Sequence, residues 1–211
     1  MTLLILALDV TDRTRALAVA RTCSPHIDAI KIGYPLVLSA GPGIARELLG
    51  IGLPLIADFK VADIPNTNRL ITEQVFSAGY AAVIAQGFCG RDAVEACVET
   101  AHEHGGECFV VAEMSHPGAI EFFTNGVPER IASIASACGA DGLIAPATRP
   151  ERVRALRAVF PHGKIYTPGI GAQGGDPAAV SRYVDGVIVG RSIYDAPDPA
   201  RAARDLSSIR R

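Results

Sequence analysis

Short apolar runs alternate with helix-spaced segments along this sequence, eight times over. The apolar runs are Leu3–Leu8, Ala29–Tyr34, Leu55–Lys60, Ala81–Ala85, Cys108–Glu113, Gly142–Ala145, Lys164–Thr167 and Gly186–Val189. Between them lie helical patterns over Asp12–Ala20, Val37–Leu49, Asn66–Ala78, Arg91–Glu103 and Pro128–Cys138. Another opens at Thr148-Arg149-Pro150-Glu151, which reads as a cap, a first-turn proline and an acid three residues on. Asp176-Pro177 starts the next, and Pro199–Ile209 closes the chain. Strands that are apolar throughout and separated by helices are parallel and covered on both faces. Eight such units at about 26 residues each predict a closed (β/α)8 TIM barrel. A doubly wound open sheet is the alternative. No linker or low-complexity tract divides the sequence, so residues 1–211 read as one domain.

Composition narrows the function. Hydrophobic residues make up 49% and charged residues 20%, enough apolar surface for a packed core. The formal charge of −2 gives no basic excess to draw nucleic acid or an anionic membrane. The apolar runs are shorter than the roughly 20 residues a bilayer span needs. The apolar N-terminus contains Asp9 and has no positive segment before it, so it reads as a first buried strand rather than a signal peptide. The five cysteines are odd in number and lack C-x-x-C spacing. That argues against a disulfide framework or structural zinc and for a reducing cytoplasm.

In a barrel of this kind, chemistry sits at the C-terminal ends of the strands. The residues that interrupt apolar strands near those ends are Asp9, Lys31, Asp58, Lys60, Glu113 and Ser115. Asp58 and Lys60 are two apart, which in extended chain puts them on one side, about 6.5–7 Å apart at the backbone. Alone they read equally well as a structural salt bridge. Lys31 from the next strand and Asp9 beyond it point to the same mouth. Four converging charges are costly to bury for stability alone, so they suggest a site that handles charge.

Glycine-rich turns follow the last two strands: Thr167-Pro168-Gly169-Ile170-Gly171-Ala172-Gln173-Gly174-Gly175, and Ile188-Val189-Gly190-Arg191-Ser192. Glycines let main-chain N–H groups approach an anion, a helix N-terminus adds positive potential, and Arg191 adds a charged fork. Ordinary turn glycines are the plain reading. Two such loops at the usual phosphate-binding place of this fold point to a phosphate. His102 and His104 read as solvated helix-end residues, His116 as a loop residue at the active end, and His26 and His162 as residues of the opposite face. No His, Asp or Glu spacing suits a metal.

These residues resemble a known family. Asp58-Phe59-Lys60-Val61-Ala62-Asp63-Ile64-Pro65-Asn66-Thr67 is similar to the D-x-K-x-x-D-I-P-x-T motif of the orotidine 5′-monophosphate decarboxylases. The likeness runs through L-A-L-D at Asp9, I-K-I-G-Y at Lys31, E-M-S-H-P-G at Ser115, T-P-G-I-G-A-Q-G-G at Gln173 and V-G-R-S-I-Y at Arg191. It is that of the compact microbial form. The resemblance implies cofactor-free conversion of orotidine 5′-monophosphate (OMP) to UMP and CO2 in pyrimidine biosynthesis. Lys60 would be the proton donor, within an alternating network of Lys31, Asp58, Lys60 and Asp63. Asp58 would sit against the departing carboxylate. Asp9 and Lys31 would contact the ribose hydroxyls, Ser115 would read the pyrimidine with Pro168 beside the ring, and Gln173, Gly190 and Arg191 would hold the phosphate. Asp63 and Thr67 would cross into the partner's site, which implies a homodimer. No metal is implied.

Two other readings stay open. Metal-dependent sugar-phosphate decarboxylases and aldolases of the same superfamily share the D-x-K-x-x-D core, although Lys31 would intrude on a metal there. A non-catalytic nucleotide-phosphate sensor on the same barrel would bind UMP without releasing CO2.

Overall fold

The computed structural model describes residues 2–171 and 174–210. Eight parallel strands form a closed barrel in chain order: β1 (Leu3–Ala7), β2 (Ala29–Gly33), β3 (Leu55–Val61), β4 (Ala82–Gln86), β5 (Glu107–Val111), β6 (Gly142–Ile144), β7 (Lys164–Pro168) and β8 (Gly186–Val189). Pairing of β8 with β1, Leu3 beside Gly186 through Leu6 beside Val189, closes the ring and excludes the open sheet. The helices are α1 (Arg13–Cys23), α2 (Tyr34–Ala40), α3 (Ile44–Leu49), α4 (Pro65–Ser77), α5 (Arg91–Glu103), α6 (Val127–Ala137), α7 (Pro150–Val159), α8 (Pro177–Val180), α9 (Arg191–Tyr194) and α10 (Pro199–Leu206).

Strand alternation divides the core in two. Ile5, Ile56, Ile84, Phe109, Ile144, Tyr166 and Ile188 fill the barrel interior, while residues such as Leu4, Leu6, Val83 and Val110 join the layer under the helices. Phe109 and Tyr166 stack with centroids 4.4 Å apart. Each faces a glycine on the next strand, Phe109 beside Gly142 and Tyr166 beside Gly186. A Cβ on Gly142 would lie 2.4 Å from the Phe109 ring, and one on Gly186 2.7 Å from Tyr166. Small residues here make room for the aromatic pair, and the barrel is a packed core rather than a pore.

Two local expectations are corrected and a third is met. The helical stretch Val37–Leu49 is two helices, α2 and α3, because Gly41 turns the chain at φ 79° before Pro42 and Gly43. Thr148 is not the cap of α7; Arg149 occupies that position without a side-chain cap, and Thr148 Oγ1 donates to the Ser115 carbonyl at 3.2 Å. A helix does start at Asp176-Pro177, a single turn that Asp176 caps by accepting from the Ala178 N–H at 2.9 Å.

Candidate active site

The end of β3 departs from regular strand geometry. Its register with β4 shifts between Ala57 and Val61, and Lys60 has φ +44°. Few non-glycine residues occupy that region, and holding one there costs on the order of 1–3 kcal/mol. Asp58 and Lys60 do meet, with Lys60 Nζ 2.6 Å from Asp58 Oδ1. They meet through this irregular turn rather than through the extended two-residue spacing read from the sequence. The intervening Phe59 faces away from the mouth and stacks on Tyr34 at 5.2 Å.

Lys31 rises from the middle of β2 and is only 5% exposed. It donates to Asp58 Oδ2, so both oxygens of one carboxylate are held by ammonium groups. Burial pushes the Asp58 carboxyl up, but the charges and hydrogen bonds of Lys31 and Lys60 outweigh it and leave the group below its ordinary value. Asp9 lies just past β1. Its Oδ1 comes within 3.0 Å of where a Gly33 Cβ would stand, so the glycine after Ile32 admits this acid to the mouth.

These groups line one side of a cavity of about 230 Å³ at the C-terminal end of the barrel. Ile84, Ile144 and Ile188 give it an apolar floor, and Met114 and Ser115 come from the loop after β5. Pro168, Gly169 and Ile170 from the end of β7 and the loop after it, with Gly190 and Arg191 after β8, complete the lining. Gly169 and Gly171 have φ of 100° and 72°, and the Gly175 N–H closes back on the Gly169 carbonyl at 2.9 Å. Glycine is needed there to turn the main chain back toward the pocket. The helix entered at Gly190 is one turn of four residues, Arg191–Tyr194. The positive potential on this side therefore comes from Arg191 and local N–H groups more than from a helix dipole.

Of the residues marked in the sequence, Asp9, Lys31, Asp58, Lys60, Ser115, Pro168, Gly190 and Arg191 all meet in this cavity. Asp63 and Thr67 are not among its lining residues. Asp63 is exposed, its carboxylate accepting the Ile64 N–H at 2.7 Å and its own N–H donating to Asn68 Oδ1 at 2.9 Å. Gln173 lies outside the described residues. His116 is exposed in the loop after β5, and His102 and His104 are exposed at the end of α5. Sequence reading missed Met114, Ile170 and Tyr194 as lining residues. The position of Tyr194 within V-G-R-S-I-Y, one helical turn after Gly190, was the signal for it.

Comparison with known proteins matches residues 2–206 to the orotidine 5′-phosphate decarboxylase / HUMPS family. The orotidine 5′-phosphate decarboxylase of Methanococcoides burtonii is 56% identical over 205 residues, covering 96% of this chain and 94% of that protein. The enzyme of the same name from Thermococcus kodakarensis is 50% identical over 206 residues, covering 96% and 94%. Among solved structures, orotidine 5′-monophosphate decarboxylase from Methanocaldococcus jannaschii, complexed with the inhibitor BMP, superposes with a TM-score of 0.95 at 39% identity, covering 99% of this chain and 98% of that one. The Pyrococcus horikoshii enzyme superposes with a TM-score of 0.89 at 45% identity, covering 98% of each chain. With its barrel, its charged mouth and these full-length likenesses, the chain belongs to the orotidine 5′-phosphate decarboxylase / HUMPS family, and the relatives it matches are carboxy-lyases.

Proposed function

We propose that this chain, acting as one domain over residues 1–211, converts OMP to UMP and CO2 without a cofactor, as a step of pyrimidine biosynthesis. The observation that carries the reading is the Asp58 carboxylate held between the Lys31 and Lys60 ammonium groups, in a cavity that Arg191 also lines.

The reaction breaks the bond between C6 of the pyrimidine and its carboxylate. CO2 leaves neutral, and the electron pair stays on C6 in an orbital with little delocalisation. A site lowers that barrier with cations fixed in place before the charge develops. Lys60 is such a cation, pinned by Asp58 at 2.6 Å. It stabilises the carbanion and then gives its proton to C6, regaining one from solvent. Asp58 stays ionised because Lys31 and Lys60 hold it so. Asp63 of a second copy completes the alternating array of Lys31, Asp58, Lys60 and Asp63. Ile84 and Ile144, with Ile188, give the departing CO2 an apolar surface; Val111, whose apolar place in β5 suggested the same role, does not line the cavity.

The rest of the pocket binds. Arg191 and Gly190, with Gln173, hold the phosphate; Asp9 and Lys31 take the ribose hydroxyls; Ser115 and Pro168 meet the base. Binding energy gathered at the phosphate, remote from C6, is then available to close loops over the site. A homodimer in which Asp63 and Thr67 enter the partner's cavity fits the surface beside them. Ile64, next to Asp63, is 65% exposed, and Leu70, on the same helix as Thr67, is 54% exposed. The free thiols of Cys23, Cys89, Cys97, Cys108 and Cys138 fit a cytoplasmic enzyme.

A divalent cation, as used by the sugar-phosphate branch, would have to displace ammonium from both Asp58 oxygens. The test is incubation with OMP in the presence of EDTA, following loss of the substrate absorbance and release of CO2. Equal amounts of UMP and CO2, unaffected by chelator, are expected. Activity abolished by EDTA and restored by a divalent metal would move the chain to the metal-dependent branch. UMP binding without CO2 release would make it a sensor.

A further inference from the structure

Glu113 is an acid that the reaction as described does not use. It stands just beyond β5, is 2% exposed and borders the cavity. Both its oxygens are engaged: Arg149 Nε donates to Oε1 and Arg152 Nε to Oε2, each at 2.8 Å. Arg152 Nη1 continues to Glu129 Oε1 at 2.8 Å. Two carboxylates and two guanidinium groups thus form a neutral chain linking the end of β5 to the first turns of α6 and α7.

Burying such a group needs a reason, because apolar residues of similar volume often stabilise a fold as well. The main chain after Glu113 supplies one. Arg149 Nη2 donates to the Met114 carbonyl, and Thr148 Oγ1 donates to the Ser115 carbonyl at 3.2 Å. A guanidinium is planar and rigid, so fixing its Nε on Glu113 also fixes where its Nη2 points. The backbone that carries Ser115 into the cavity is therefore oriented from the loop after β6, with Glu113 as the anchor.

We propose that Glu113 is a positioning residue: through Arg149 it holds the Met114–Ser115 main chain in the place from which Ser115 meets the nucleotide base. The proposal rests on the reading of Ser115 as a base contact, and it makes the effect of Glu113 depend on the base. UMP carries a base; ribose 5-phosphate does not.

Binding of both ligands is measured by titration calorimetry for four variants, with thermal melts to confirm folding. Glu113→Gln keeps the volume but loses the charge that orients Arg149. It should weaken UMP by about tenfold, the scale of one buried hydrogen bond, and leave ribose 5-phosphate unchanged. Thr148→Val removes one hydroxyl and leaves the ion chain intact; it should shift UMP alone, by about threefold, and it decides the matter if Glu113→Gln does not fold. Ser115→Ala should weaken UMP, and adding Glu113→Gln to it should cost little more. Equal losses for both ligands in Glu113→Gln and Thr148→Val, or no loss for either, would overturn the positioning role while a weakened Ser115→Ala kept the base contact. Unchanged UMP affinity in Ser115→Ala would remove the base contact and the positioning role together.

Discussion

The two ends of the barrel both carry acids, but they hold them differently. At the N-terminal end, Asp28, Asp141 and Asp185 stand immediately before β2, β6 and β8. Each accepts a main-chain N–H from the start of the neighbouring strand, from Leu4, Cys108 and Ile165 respectively, all at 2.8 Å. Each is also met by a basic side chain: Arg210 at 2.6 Å, His102 at 3.1 Å and Arg157 at 2.5 Å. At the C-terminal mouth, Asp58 takes its ion pairs from the ends of Lys31 and Lys60. A carboxylate tied to the backbone cannot change partner without opening the sheet. One held by lysine ammonium groups can share them with a ligand. The three aspartates at the base of this barrel are bound into its sheet, whereas the Asp58 carboxylate at its mouth is held by side chains alone.

Substitution can break that contrast, and the largest effect is expected at the mouth. Lys60→Ala should lower kcat on OMP by about a thousandfold or more, the scale of a lost preorganised charge, while UMP affinity and thermal stability change little. Steady-state kinetics beside calorimetry separates the two, and near-normal turnover would exclude Lys60 as the proton donor. Next comes Arg191→Ala, which should raise KM for OMP by roughly tenfold to a hundredfold through lost charge-assisted hydrogen bonds. The same variant should treat orotidine, which has no phosphate, like the parent. An equal loss on both substrates would remove Arg191 from the phosphate.

At the other end the effect falls on stability rather than on turnover. Asp185→Ala leaves the Ile165 N–H and the Arg157 guanidinium without this partner. It should cost about 1–2 kcal/mol of stability, read by denaturant unfolding, and leave kcat of the folded enzyme intact. A large kcat loss without destabilisation would erase the distinction between the two ends. The smallest effect is that of mild acid on Asp58. Its folded-state value is depressed, so its contribution to stability is complete above its unfolded value of about 3.9 and lost only as pH falls through the lower folded value. The stability difference between the parent and Asp58→Asn should be flat from about pH 5 upward and change below about pH 4. A transition near neutral pH would mean that Asp58 is not held ionised by the lysines.

Much of this was legible in the sequence because barrel strands announce themselves by unbroken apolar runs, and the mouth by the polar residues that end them. Asp9, Lys31, Asp58, Lys60 and Arg191 were visible for that reason, and the structure gathers them in one cavity. The failures have separate causes. Lysine has no preference for positive φ, so nothing in Asp58-Phe59-Lys60 foretold the break in β3 at φ +44°. Thr148 and Glu151 match a capping pattern, but a proline at the first helical position makes the residue before it the cap, here Arg149 with φ −135° and ψ 77°. The apolar spacing of Val37–Leu49 continues across Gly41-Pro42-Gly43; those breakers blur where a helix starts, but only the structure shows a helix on each side of them. The partners of Glu113 are 36 and 39 residues away, a pairing that only the closed barrel brings about.

In the proposed reaction the Lys60 ammonium, steadied by Asp58, faces the carbon that loses CO2. A crystal structure with a UMP-like inhibitor measures it directly. Lys60 Nζ is expected at hydrogen-bonding distance, roughly 3 Å, from the C6 substituent, with the phosphate on Arg191 and Gly190. An inhibitor bound with its phosphate there but with Lys60 Nζ turned to solvent, away from C6, would contradict it.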